Sequence, residues 1–117
     1  MMSNRYGRII NITSPAGKIG FPGQSNYAAT KAGQVGLTRS LSKEVATRGI
    51  TVNCVSPGFI DTGFIKDLPE KLKKTYLENI PVRRFGKPEE VATCVLFLAS
   101  KEAVYVNGST LEVTGGL

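Results

Sequence analysis

The sequence has no histidine and no tryptophan, only two cysteines, and no apolar run approaching the roughly 18 to 20 residues that a membrane-spanning helix needs. Without histidine, neither Ser-His-Asp nor Cys-His nucleophilic chemistry can be assembled within the chain. Proton transfer therefore falls to Tyr, Lys, Asp or Glu. Cys54 and Cys94 stand alone, with too few soft ligands for a zinc site, so free buried thiols and no metal are expected. The opening residues, Met1-Met2-Ser3-Asn4-Arg5-Tyr6, lack the apolar stretch of a signal peptide, which implies a cytoplasmic chain. Acids are the scarcer charge, 9 against 15 basic residues, giving +6. The bases are scattered, with only Lys71, Lys73, Lys74 and Arg83, Arg84 locally dense, so a solvated basic surface is expected and neither a nucleic acid nor a membrane as partner.

What is present is ordinary globular composition, with 41% hydrophobic and 21% charged residues over 117 positions. That length suits one small domain burying roughly two-thirds of its unfolded surface. Arg8-Ile9-Ile10-Asn11-Ile12-Thr13 is a β-branched run closed by Ser14-Pro15-Ala16-Gly17, a buried strand running into a loop that continues through Gln24. Ser25 or Asn26 can cap the helix that follows, predicted from Tyr27 to Thr47 with Ala28, Ala32, Val35, Leu41 and Val45 at near-helical spacing and Gly49 as its stop. Ile50 to Val55 is a second strand ending at Ser56-Pro57-Gly58, and strand, helix, strand implies a parallel sheet. A loop with Asp61-Thr62-Gly63 then leads to a polar surface helix over 69–79. Pro88-Glu89-Glu90 opens a helix with proline at its first position and acids at the positive end of the dipole. Val91, Cys94, Val95, Leu98 and Ala99 are its predicted buried face, and Thr110 to Val113 is a last strand.

Tyr27 and Lys31 share one face of the long helix, one turn apart. An ammonium near a phenol favours the phenolate, so the pair suits proton transfer nearer neutral pH. On its own, Tyr-x-x-x-Lys is a common chance pairing on a solvated helix. Ser14 adds weight, because it stands at the carboxyl end of a parallel strand, where open sheets bind ligands. It is either a turn hydroxyl or a donor to a substrate carbonyl.

Taken together, strand, Ser14, loop, Tyr27-Ala28-Ala29-Thr30-Lys31-Ala32-Gly33 and then Val52-Asn53-Cys54-Val55-Ser56-Pro57-Gly58 resemble the short-chain dehydrogenase/reductases. The similarity runs from Arg5 to Gly116 and takes in Arg83-Arg84-Phe85-Gly86-Lys87-Pro88-Glu89-Glu90-Val91-Ala92 and Thr114-Gly115-Gly116. The subfamily it most resembles reduces 3-oxoacyl groups on acyl carrier protein. The resemblance implies an α/β fold, the C-terminal half of a doubly wound Rossmann-type parallel sheet in three α/β/α layers, as one partial domain over 1–117. It implies that Tyr27 protonates the substrate oxygen as hydride arrives from NADPH, that Lys31 holds the nicotinamide ribose, and that Ser14 polarises the carbonyl. It implies further that Pro57 and Gly58 line the nicotinamide, with Ile60 and Thr62 near its carboxamide.

Two parts of the family pattern do not occur in this sequence: the Thr-Gly-x-x-x-Gly-x-Gly loop that holds the pyrophosphate, and the asparagine of the catalytic tetrad, which Asn4, Asn11 and Asn26 do not match. Met1-Met2 aligns with the interior of the family's chain, so an excerpt, a split or truncated product, or a misplaced start is expected. A sheet without its first strands would be marginally stable or would associate. The resemblance implies a homo-oligomer, a tetramer in the family. It also implies that Arg5 and Arg48 dock the acidic acyl carrier protein, although Arg48 in a last helical turn is favoured by the dipole alone. Alternatives are a reductase of another carbonyl, such as a steroid, sugar or quinone, and a non-catalytic fragment that acts by pairing with intact subunits.

Overall fold

A computed structural model describes all residues from Met1 to Leu117. Three parallel strands make the sheet: β1 (Gly7–Ile12), β2 (Ile50–Pro57) and β3 (Thr110–Val113), in the order β1-β2-β3. Five helices connect them: α1 (Ala16–Ile19), α2 (Ser25–Val45), α3 (Gly63–Lys66), α4 (Glu70–Asn79) and α5 (Pro88–Ala99). The α/β class is as the sequence implies.

Strand register explains the layers. Successive strand residues point to opposite faces. From β1, Asn11 reaches α2 by donating to Thr38 Oγ1 at 3.0 Å, and Thr13, just beyond the strand, donates its hydroxyl to the Lys31 carbonyl at 2.9 Å. Arg8, on the other face, donates to the Ser100 carbonyl at the end of α5 at 3.1 Å. The two long helices thus cover opposite faces of the sheet. Strand β2 lies in the middle, and Ile50 through Ser56 are all buried. Buried Asn53 takes part in no apolar packing pattern; its amide donates to Val106 O and accepts from Ser109 N, both at 2.9 Å, fixing the turn that launches β3.

Several expectations from the sequence are corrected. Ala16–Ile19 is a helical turn rather than loop, as is Gly63–Lys66; neither is long enough to show a period. Helix α2 begins at Ser25 with Gln24 at the cap position, whose side chain makes no cap bond; Gln24 O accepts from Ala28 N at 2.7 Å and Asn26 Oδ1 accepts from Tyr27 N at 2.9 Å. Its fully buried residues are Thr38 and Ser42 rather than the apolar series, and Ala32 is exposed. The α2–sheet contact is made by hydroxyls: Thr38 Oγ1 also lies 3.1 Å from the Cys54 thiol. On α5, Leu98 is buried and Val91, Cys94 and Val95 are half-buried, but Ala99 faces solvent. Both thiols are free, Cys54 buried and Cys94 half-buried.

The shape is open. The accessible surface is 7519 Å², where a compact monomer of this mass exposes roughly 6,200 Å². Its longest dimension is 52 Å against 28 and 22 Å across. Leu37, Leu96, Val104 and Tyr105 are among the large apolar side chains left at the surface. No helix is long and apolar enough to cross a membrane.

Candidate active site

The carboxyl ends of β1 and β2 open into a cleft of about 530 Å³. Ser14, Tyr27, Pro57 and Gly58 all lie in its wall. Ser14 follows β1, and its Oγ accepts from Ala16 N at 3.1 Å, which starts α1. The turn reading of this serine is therefore correct as far as it goes. Accepting uses a lone pair and leaves the O–H proton available to a carbonyl oxygen.

Tyr27 sits in the first turn of α2, 42% exposed, with its ring facing the cleft. The Lys31 ammonium lies 5.4 Å from the centre of that ring, within cation–π range. The same ammonium donates to the Ile12 carbonyl at 3.4 Å. Lys31 also lines, with Ser14, an adjoining polar cleft of about 710 Å³. It stands at the junction of the two. Gly17 lets α1 approach this turn of α2, since a Cβ there would come 2.6 Å from Ala32 N.

Gly58 is required for a similar reason, because a Cβ would meet Thr114 Cα at 3.0 Å. Its N–H bonds the Val113 carbonyl at 3.0 Å, which ties the end of β2 to the end of β3. Ile60 and Thr62 do not reach the walls of either cleft. The Ile60 backbone pairs with Gly86, and its side chain lies where a Gly86 Cβ would be, 2.8 Å from it. Thr62 is exposed at the start of α3.

Arg5 and Arg48 are brought together, but elsewhere. The Arg5 guanidinium donates to the Thr47 carbonyl at 3.1 Å, beside Arg48 at the end of α2. This corner lies where the strands begin, about 30 Å from Tyr27 along the helix at 1.5 Å per residue. The sequence reading missed the aromatic lining of the first cleft: Phe21, Phe59, Phe64 and Tyr76 come from separate segments, and only an abundance of phenylalanine around the glycine turns hinted at them.

Cofactor fit can be judged from these residues. A phenol and a glycine-flanked strand end line one cleft and an ammonium stands where it meets the next, a set suited to the ring and ribose of a nicotinamide. They suit that end alone.

A family described as enoyl-(acyl carrier protein) reductase matches the chain over residues 1–117. The 3-oxoacyl-[acyl-carrier-protein] reductase FabG of Rickettsia felis is 56% identical over all 117 residues, which are 48% of that protein. Nodulation protein G of a Rhizobium species is 55% identical over the same span, again 48% of its length. The FabG reductase of Thermotoga maritima is 53% identical, with the same coverage. The chain spans about half the length of the curated relatives it matches.

Proposed function

The chain belongs to the short-chain dehydrogenase/reductase family, and from that premise we propose that it carries the acid and carbonyl-binding groups of an NADPH-dependent 3-oxoacyl-[acyl-carrier-protein] reductase. The observation that carries this reading is the convergence of Ser14 and Tyr27 on one cleft with the Lys31 ammonium against the tyrosine ring. Lys31, Pro57 and Gly58 would hold the nicotinamide end of NADPH, which would supply hydride to the carbonyl carbon. Ile60 and Thr62, in the loop beyond Gly58, line neither cleft, and their assignment to its carboxamide rests on the family resemblance.

The residues act on the oxygen. Ser14 Oγ–H donates to the substrate carbonyl and stabilises the charge that gathers there as the carbon–oxygen π pair moves onto oxygen. The Tyr27 hydroxyl then gives its proton to that oxygen, closing the step as a 3-hydroxyacyl thioester and a phenolate. The Lys31 ammonium stabilises the phenolate electrostatically until solvent returns the proton.

Acyl carrier protein is the proposed carrier, docked at Arg5 and Arg48. Since that corner is about 30 Å from Tyr27, the carrier either threads its arm along α2 or docks on one copy and delivers to another. The second arrangement agrees with a homo-oligomer, for which the exposed Leu37, Leu96 and Tyr105 supply apolar surface. A cytoplasmic location follows from the same reading. The test is a chimera in which this chain replaces the aligned half of the Rickettsia felis reductase. Oxidation of NADPH on addition of a 3-oxoacyl carrier protein, with NADH slower, is the expected result; a folded chimera that reduces no 3-oxoacyl substrate overturns the reading.

A further inference from the structure

The polar cleft beside the catalytic one extends well past Lys31. Lys31, Val35 and Arg39 follow at intervals of four on α2 and all line it, so one stripe of the helix forms a wall. The floor is the α2 side of the sheet: Cys54, which meets Thr38 of α2, is in register with Thr110, and Ser56 with Glu112. Arg39, the residue after Thr38, thus stands level with the start of β3, about 12 Å from Lys31 at 1.5 Å per residue.

This far end holds polar groups that the fold leaves without partners. Lys18 and Glu112 pair at 3.1 Å, so the one carboxylate in the lining is already neutralised, whereas Arg39 forms no ion pair. Ser56 is 3% exposed, and its hydroxyl bonds to no group of the chain and opens into the cleft. A buried hydroxyl in that state costs stability until a ligand or water satisfies it. Ser109 and Thr110 bring two more hydroxyls to the Arg39 end. Apolar lining is limited to Ala32 and Val35, which disfavours a hydrophobic occupant.

We propose that the cleft binds a hydroxylated organic phosphate of the sugar phosphate class, its phosphate on Arg39, Ser109 and Thr110 and its hydroxyls on Ser56 and Glu112. A guanidinium engages two phosphate oxygens at once, and hydroxyl protons serve the remaining one. The rest of the ligand must be uncharged, because a second anionic group would face the Glu112 carboxylate, to which a hydroxyl donates instead. The site shares its cleft with Lys31 but needs none of the groups assigned to carbonyl reduction.

The experiment titrates the 117-residue chain with glucose 6-phosphate, inorganic phosphate and glucose, followed by NMR of the backbone amides. Glucose 6-phosphate should bind saturably, with its largest shifts from Gly108 to Thr110 and around Arg39, more tightly than phosphate, and glucose should not bind. Arg39→Gln, at an exposed side chain that does not govern folding, should weaken binding at least about tenfold, and Ser56→Ala about two- to tenfold. Lys31→Met should change it less than about twofold, since 12 Å exceeds the roughly 8 Å Debye length at physiological salt. The same holds for Arg48→Gln, which removes an equal charge at the far corner of the helix. A loss in either of these as large as in Arg39→Gln overturns the assignment, in favour of the catalytic end or of general charge attraction. So does an affinity unchanged in both Arg39→Gln and Ser56→Ala, phosphate binding as tightly as its sugar ester, or no saturable binding at all.

Discussion

The two ends of α2 are built on opposite terms. At its N-terminal end, Lys31 is fixed from several sides: its carbonyl accepts from Thr13, its ammonium donates to Ile12 O, and Gly17 admits close backbone packing. At its C-terminal end the helix tightens into a short 3₁₀ turn (Ala46–Arg48), closed by Gly49 in the left-handed conformation at φ 70°. There, Arg5 holds the Thr47 carbonyl and both arginines stay exposed. Groups that transfer protons gain from being held, because misplacement by an ångström is costly. Charges that meet a partner protein act through the solvent and need only be displayed. One helix joins a rigid end to a displayed one.

The sharpest way to break the rigid end is Tyr27→Phe. In the chimera with the Rickettsia felis reductase it should lower kcat by at least about a hundredfold, as loss of a general acid does, while the circular dichroism spectrum stays unchanged. Near-native turnover would remove Tyr27 from the mechanism. The displayed end should respond differently to Arg5→Glu with Arg48→Glu. We expect kcat/KM to fall about tenfold or more for a 3-oxoacyl carrier protein and to hold for a small ketoester, with the gap closing as salt rises. Equal losses on both substrates, or none on either, would end the docking assignment.

How far the sequence was legible follows the same division. Strand β3 was read with the bounds observed, helix α5 with its observed start at Pro88, and α2 to within two residues at each end. Ser14, Tyr27 and Lys31 were legible because their spacing is local and strand ends are where parallel sheets bind ligands. The aromatic wall was not, since Phe21, Phe59, Phe64 and Tyr76 meet only when α3 and α4 fold back over the strand ends. The hydroxyl contact of α2 with the sheet was not legible: Thr38 satisfies its hydroxyl through Asn11 and lies against Cys54, so a polar side chain is buried beside the half-buried Ala28, Val35, Leu41 and Val45. Thr13 escaped notice because its partner is a backbone carbonyl on another element.

Thr13 offers a smaller perturbation of the rigid end. Its hydroxyl is buried and bonds the Lys31 carbonyl at 2.9 Å. Thr13→Val keeps the shape and removes that bond, at a cost of about 1 kcal/mol. For a chain of this size that is a fall in Tm of roughly 4 to 8 °C. Differential scanning calorimetry should show it, with Thr13→Ser recovering most of the loss. A native melting temperature in Thr13→Val would mean that Gly17 packing and the Lys31 ammonium suffice to hold α2.

The smallest effect is expected away from both ends of α2, where α5 begins. Glu90 accepts two hydrogen bonds from Arg84, at 2.7 and 2.9 Å, and one from Lys87 N at 2.9 Å. Those bonds, the Arg84 guanidinium first, hold its carboxyl from 4.5 down to about 2. The side chain is 42% exposed and paired at the surface, so its worth to the fold is small and screened by salt. The sign is nevertheless definite. A carboxylate whose folded value lies below its unfolded one adds stability that is complete above about 4.5 and is lost as the pH falls through about 2. Glu90→Gln keeps an acceptor oxygen for Lys87 N and removes the charge together with the second acceptor that faces Arg84. The Tm difference between the native chain and this variant should therefore be constant from neutral pH to about 5, then shrink toward zero below about 4. A difference that persists unchanged into strong acid would show that it does not come from the carboxylate charge.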